Sequence, residues 1–183
     1  MNDLLMLALL LDGPKHGYAL KKRAGLIYGQ EEMHNNIVYP LLRRFVAQGW
    51  VTRREAKGER GQTRTVYALT SAGRRALEER LSEFGEEEAK SAGEFRLRVG
   101  LFAILDGATR TKILETRKAY LEKEAQKFGA MEGQIEFEAF SGEVVRRMGE
   151  EIRSDLEWIE RLRRMIRRGG KNGRERGKRR KGQ

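Results

Sequence analysis

The chain has 183 residues, a formal net charge of +11 and no cysteine, which excludes disulfides, thiolate nucleophiles and cysteine-ligated zinc and suits a reducing cytoplasm. That length buries a real core as one domain, or one small domain plus an extension, and two prolines against 36% charged residues favour ordered helix over disorder. The net charge is +6 over residues 1–78, −2 over 79–167 and +7 over 168–183, so basic ends flank a slightly acidic middle and point to a polyanionic partner.

The apolar run Leu4 to Leu11 has no positive residue before it and Asp12 after it. It is too short to span a bilayer and reads as a buried first helix over Asp3–Leu11, not as a signal peptide. Gly13-Pro14 stops it. A second helix is expected from about Gly17 to Leu26, followed by a polar connection from Gln30 to Asn36 in which Asn35 is placed to cap a third helix. In that helix Val38, Leu41, Leu42 and Phe45 fall at i, i+3, i+4 and i+7, one buried face, and Gly49 ends it.

Trp50 to Arg54 and Thr63 to Thr70, with Val51, Tyr67 and Leu69 at strand spacing, flank the glycine-bearing turn 58–62 and predict a hairpin. Ser71-Ala72-Gly73 opens a charged helix carrying Ala76, Leu77, Leu81 and Phe84. Three helices, a hairpin and a helix make a winged helix-turn-helix. The second half predicts helices only, over Phe95–Leu105, Arg110 to about Phe128, and roughly Ser141–Ile166. In the last of these Val145, Met148, Ile152, Leu156, Ile159, Leu162 and Ile166 form an apolar seam that needs a partner, here taken as a second copy of the chain. From Arg167 on, glycine and basic residues alternate without an apolar anchor, the composition of a disordered tail. The expected fold is therefore mainly α: a winged helix-turn-helix DNA-binding domain over 1–85 (three helices plus a β-hairpin wing), a C-terminal helical dimerisation domain over 86–167 and a disordered basic tail over 168–183.

A helix-turn-helix sends its second helix into the major groove, so the outward face of that helix must carry groups that reach bases and phosphates. Opposite the buried face lie Asn36, Tyr39, Pro40, Arg43 and Ala47, with Arg44 on the flank and Asn35 at the start. Arginine pairs bidentately with guanine, asparagine with adenine, and a tyrosine hydroxyl donates to phosphate. The hairpin tip adds Arg60, Gln62 and Arg64, suited to a minor groove or its backbone. The start of the second helix adds Lys15, His16, Tyr18, Lys21 and Lys22 as phosphate donors. His16 reads as a phosphate or capping contact and not a metal ligand, because His34, the only other histidine, has no ligand-spaced companion; no metal or cofactor is expected.

Asp12-Gly13-Pro14-Lys15-His16-Gly17-Tyr18-Ala19-Leu20-Lys21, Val38-Tyr39-Pro40-Leu41-Leu42-Arg43-Arg44 and Tyr67-Ala68-Leu69-Thr70-Ser71-Ala72-Gly73-Arg74 resemble, in order and spacing, the PadR family of transcriptional regulators. The second half resembles the family in length, pattern and the run Glu94-Phe95-Arg96-Leu97. The resemblance implies a cytoplasmic homodimer on double-stranded DNA, usually a repressor, joined through its C-terminal helices and sometimes released by a small-molecule inducer. Asn35-Asn36-Ile37-Val38 departs from the small residues many members carry before the tyrosine-proline, so the operator sequence does not carry over, and the basic tail is additional. The aromatic residues of the second half read first as core or dimer packing. The family's habit of binding planar apolar compounds makes Phe95, Phe102 and Trp158 a candidate inducer pocket between the winged domain and the C-terminal helices.

Two other function classes compete. The acidic runs Glu86-Glu87-Glu88 and Glu150-Glu151 are the best candidates for general acid/base chemistry, yet they sit among Lys and Arg on helices and read as solvated ion-paired faces. Gly169-Gly170-Lys171-Asn172-Gly173 lacks the spacing and flanking elements of a phosphate-binding loop, so no enzyme is expected. A non-sequence-specific architectural or RNA-binding protein is the alternative that charge alone permits; selectivity for one palindrome separates the two.

Overall fold

A computed structural model describes residues 1–27, 29, 31–57, 63–132 and 138–180, with backbone alone at 131–132 and 169–180. The chain divides into two compact units, Met1–Glu83 and Phe84–Gln183.

In the first unit, α1 (Asn2–Ala8), α2 (Gly17–Ile27), α3 (Asn35–Ala47) and α4 (Ser71–Ser82) surround a small antiparallel sheet of β1 (Lys15–His16), β2 (Val51–Lys57) and β3 (Thr63–Leu69) in the order β1-β3-β2. Leu4, Leu5, Met6 and Leu7 of α1 are all buried, as a helix that packs on α2, α3 and α4 at once requires. α1 is shorter than expected: its helical bonds end at Ala8, and a turn leads through Leu10 to Gly13, whose φ of +110° suits glycine. Val38, Leu42 and Phe45 of α3, Leu20 and Ala24 of α2, and Leu77 and Leu81 of α4 are all buried in the core. Each buried Val, Leu or Phe among them contributes about 1.5–3 kcal/mol. Leu41, on the edge of that face, is half-buried.

Two local expectations change. α3 takes His34 as its N-cap residue with no side-chain bond, so Asn35 is the first helical residue and not the cap. Lys15 and His16 pair with Tyr67 and Val66, adding a third strand to the two-stranded wing. α4 is anchored by Thr70, whose hydroxyl accepts from the Gly73 amide at 2.9 Å and lies 2.8 and 3.0 Å from the carbonyls of Gly49 and Trp50. Gly73 passes so close that a Cβ there would lie 2.0 Å from the Trp50 carbonyl oxygen.

The second unit contains α5 (Glu86–Lys90), α6 (Ala92–Gly100), a 3-10 turn (Phe102–Ile104), α7 (Gly107–Glu132) and α8 (Ala139–Arg180). Three side chains set its helix starts. The Glu88 carboxylate accepts from the Gly85 amide at 2.9 Å, which holds its pKa below the usual range. Ser91 accepts from the Glu94 amide at 3.2 Å, separating α5 from α6, and Asp106 accepts from the Thr109 amide at 2.7 Å, so α7 starts earlier than the apolar pattern indicates.

α7 and α8 run antiparallel, joined by Glu115–Arg163 at 2.9 Å, Lys118–Glu160 at 3.3 Å and Arg117–Asp155 at 2.9 Å. Of the seam on α8, Ile159 and Leu162 are buried within the single chain, while Met148 is exposed and Val145, Ile152, Leu156 and Ile166 are half-buried. α8 also continues to Arg180, through a segment whose glycine-rich composition predicts irregular chain; among those residues there is no proline to stop a helix.

Arg117 ties this unit together. It is 4% exposed, donates to the Ala89 carbonyl at the end of α5 and to Asp155 of α8, and lies 5.7 Å from the Phe95 ring and 5.5 Å from Tyr120. Phe95 itself meets Trp158 edge-on at 5.4 Å and Phe84 at 6.3 Å.

Three substitutions test these constraints by thermal and denaturant unfolding. Gly73→Ala is expected to lower stability by about 3 kcal/mol, because backbone blocks the added carbon. Gly129→Ala on α7, where nothing lies within 4 Å, is expected to raise it by about 0.5–1 kcal/mol. Arg117→Met is expected to cost about 3 kcal/mol, since it strands Asp155 and the Ala89 carbonyl; a neutral result would show that apolar packing alone holds α5, α7 and α8.

Candidate nucleic-acid interface

The start of α2, the outer face of α3 and the paired strands surround a hollow of about 760 Å³ in the first unit, lined by His16, Gly17, Tyr18, Ala19, Tyr39, Arg43, Arg53, Arg64, Thr65 and Tyr67. Its construction follows from backbone approach. A Cβ on Gly17 would lie 3.0 Å from Tyr39 and 3.4 Å from Tyr67, so glycine lets the first turn of α2 sit against one ring from α3 and one from β3. The register places Tyr67 opposite Lys15 on one side and Arg53 on the other, a row across all three strands.

The electrostatics are one-sided. The lining holds three arginines and no carboxylate, and none of Arg43, Arg53 and Arg64 has an ion-pair partner among the described residues. Tyr18 is 64% exposed, so its hydroxyl is free to reach outward. His16 buries Nδ1 without a hydrogen-bond partner among the described residues. Cations and hydroxyls converging on a concave surface without counter-charges can bind phosphate, and Arg43 on a helix face can read a base edge.

Of the residues singled out in the sequence, the hollow brings together His16, Tyr18, Tyr39, Arg43 and Arg64. Asn35, Asn36 and Lys22 are exposed but outside its lining. Two others are engaged elsewhere. Lys21 is 12% exposed and pairs with Glu32 at 2.5 Å, fastening the α2–α3 connection. Arg44 pairs with Asp3 of α1, which also takes Arg80 at 3.3 Å. Arg60 and Gln62 lie outside the described residues. Arg53, Thr65 and Tyr67 line the hollow but were not singled out as site residues. Their signal is the strand register, since Arg53 and Tyr67 become neighbours only once β2 and β3 are aligned.

In the second unit a separate hollow of about 620 Å³ is lined by Lys90, Ala92, Arg96 and residues of α7 and α8, including Tyr120, Leu121, Phe128, Met148 and Ile152. Phe95, Phe102 and Trp158 are not part of its lining: Phe95 is fully buried against Trp158, and Phe102 lies on the 3-10 turn. Among the described residues there is no cluster of His, Asp or Glu suited to a metal, and no helix is long and apolar enough to cross a membrane.

Residues 6–79 match the family model of the transcriptional regulator PadR-like family. Among solved structures, the chain is similar to a protein of Thermoplasma acidophilum described as a transcriptional regulator, with 36% identity over 42% of this chain and 72% of that one, TM-score 0.39. It is similar to a PadR family transcriptional regulator of Eggerthella lenta, with 32% identity over 42% and 65%, TM-score 0.37. A third is Bacillus subtilis PadR, solved in complex with operator DNA, with 20% identity over 90% and 98%, TM-score 0.43. No curated protein matches the chain. With its three motifs inside the matched segment and a winged helix built from them, the chain belongs to the PadR-like family of transcriptional regulators.

Proposed function

We propose that this regulator binds an inverted-repeat operator as a homodimer, represses from it, and is released by a small planar apolar inducer. The observation that carries the DNA-reading part is the carboxylate-free hollow in which Arg43 of the recognition helix, Arg64 of the wing and His16 and Tyr18 of α2 share one concave face. α3 supplies base contacts through Arg43, with Asn36 exposed beside it, and the tyrosines and remaining arginines hold phosphates on either side.

The dimer follows from reach and from exposed surface. One recognition helix covers only part of a helical turn, so a selective site needs two, related by a two-fold axis. α8 offers the surface: Phe140 is 81% exposed, Val144 59% and Met148 41%, a stripe at steps of four in the part of α8 before its ion pairs with α7. Repression and inducer release rest on family resemblance; the hollow of the second unit, where Tyr120 and Phe128 stand among mostly charged residues, offers space for a ligand.

Selection from a random duplex library is expected to return an inverted repeat with half-sites about one helical turn apart. Recovery of no preferred sequence would leave the architectural reading in its place. On the selected duplex, Arg43→Ala is expected to cost about 1–3 kcal/mol and to relax selectivity at one position, whereas Arg64→Ala weakens all sequences alike. Unchanged affinity and selectivity after Arg43→Ala would mean that α3 is turned differently on DNA.

Phe140→Asp with Val144→Asp tests the dimer without entering the core. Sedimentation is expected to show monomers, with affinity for the selected duplex falling at least about a hundredfold, a loss of about 2.7 kcal/mol. A variant that stays dimeric would remove this stripe from the interface.

A further inference from the structure

We infer that the end of α8, from Arg164 onward, is a second nucleic-acid contact, a basic helical stripe that lies along duplex DNA flanking the segment read by the first unit. It rests on the DNA-binding reading above but uses different residues and a different signal.

The charges of α8 change character along its length. Arg146, Arg147, Arg161 and Arg163 each pair with a glutamate three or four residues away, the ordinary solvated face of a helix. From Arg164 on, the acidic residues all but vanish: residues 164–181 carry ten Lys/Arg against one Glu, a net +9 out of the +11 of the whole chain. Arg164, Arg167 and Arg168 are exposed and have no ion-pair partner among the described residues.

The helical backbone continues to Arg180 and so sorts these positions. Arg164, Arg167, Arg168, Lys171, Arg174 and Lys178 follow one another at i, i+3, i+4, i+7, i+10 and i+14, a single face extending about 21 Å. Like charges stacked this way repel, and glycines at 169, 170, 173 and 177 oppose the helix further. A polyanion along the stripe relieves that repulsion.

The chemistry favours duplex DNA over other polyanions. Residues 167–183 contain no aliphatic or aromatic side chain, so the segment lacks the apolar face by which an amphipathic helix enters a lipid surface. A helix fits the major groove of B-form DNA but not the deep, narrow groove of A-form RNA. Tethering to a unit that already holds DNA raises the local concentration of flanking phosphates.

The test compares the full chain with a variant carrying Gln at Arg164, Arg167, Arg168, Lys171, Arg174 and Lys178, and with a second carrying Lys at the four arginine positions. Binding to a mixed-sequence duplex of about 40 base pairs is titrated with salt. The Gln variant is expected to lose about 3 or more from the slope of log affinity against log salt and at least about tenfold in low-salt affinity. The Lys variant keeps both, and helicity of the full chain rises on adding duplex. An unchanged slope in the Gln variant would overturn the inference. An equal or larger loss on double-stranded RNA, or a loss confined to anionic phosphatidylserine vesicles, would overturn the assignment to duplex DNA. The two readings fail separately: a chain without sequence preference whose salt slope still falls in the Gln variant retains this contact and loses the operator reading.

Discussion

The hollow of the first unit depends on a single close approach, that of Gly17 to the rings of Tyr39 and Tyr67. α2, α3 and β3 come from three separate stretches of sequence, and at this point they are held within van der Waals distance of one another. Any side chain at position 17 meets Tyr39 first, and Tyr39 sits one helical turn before Arg43 on the same face. The strand pair Lys15–Tyr67 continues the contact into the sheet and aligns Arg53 beyond it. The hollow is thus a consequence of packing, and the arginines around it are positioned by a backbone that has little room to move.

The second organising factor is where carboxylates are placed. Asp3 draws Arg44 and Arg80 to α1, and Glu32 draws Lys21 to the connection before α3. These acids give those basic residues counter-charges from elsewhere in the sequence. Around the hollow no acid performs that task, so Arg43, Arg53 and Arg64 keep their charge for a ligand. The second unit shows a similar contrast on one helix, where Arg146, Arg147, Arg161 and Arg163 pair with glutamates while Arg164, Arg167 and Arg168 have no ion-pair partner among the described residues. A net charge of +11 is therefore less informative than the list of cations without partners.

Much of the fold was legible because it rests on periodicity. The 3.6-residue spacing of Val38, Leu42 and Phe45 identifies both the buried face of α3 and, by opposition, the exposure of Arg43. What was not legible depends on contacts distant in sequence. β1 is two residues long and exists only because β3 lies beside it. The ion pairs of Lys21 with Glu32 and of Arg44 with Asp3 could not be read from the sequence, the latter spanning 41 residues. The seam of α8 has the pattern of a dimer interface, yet the pattern cannot say which positions the chain's own fold buries; Ile159 and Leu162 are buried within the single chain, whose α8 packs on α7. Phe95 and Trp158 likewise carry aromatic surface that packing against each other consumes.

Amide hydrogen exchange of the full chain, with and without the duplex recovered by selection, tests most directly whether the carboxylate-free hollow is the DNA-reading face. New protection is expected at residues 15–19, 39–43, 53 and 64–67, which span the lining of the hollow, with α5 and the middle of α7 unchanged. Protection confined to the second unit, or absent from α3 and the strands while the duplex is bound, would contradict it.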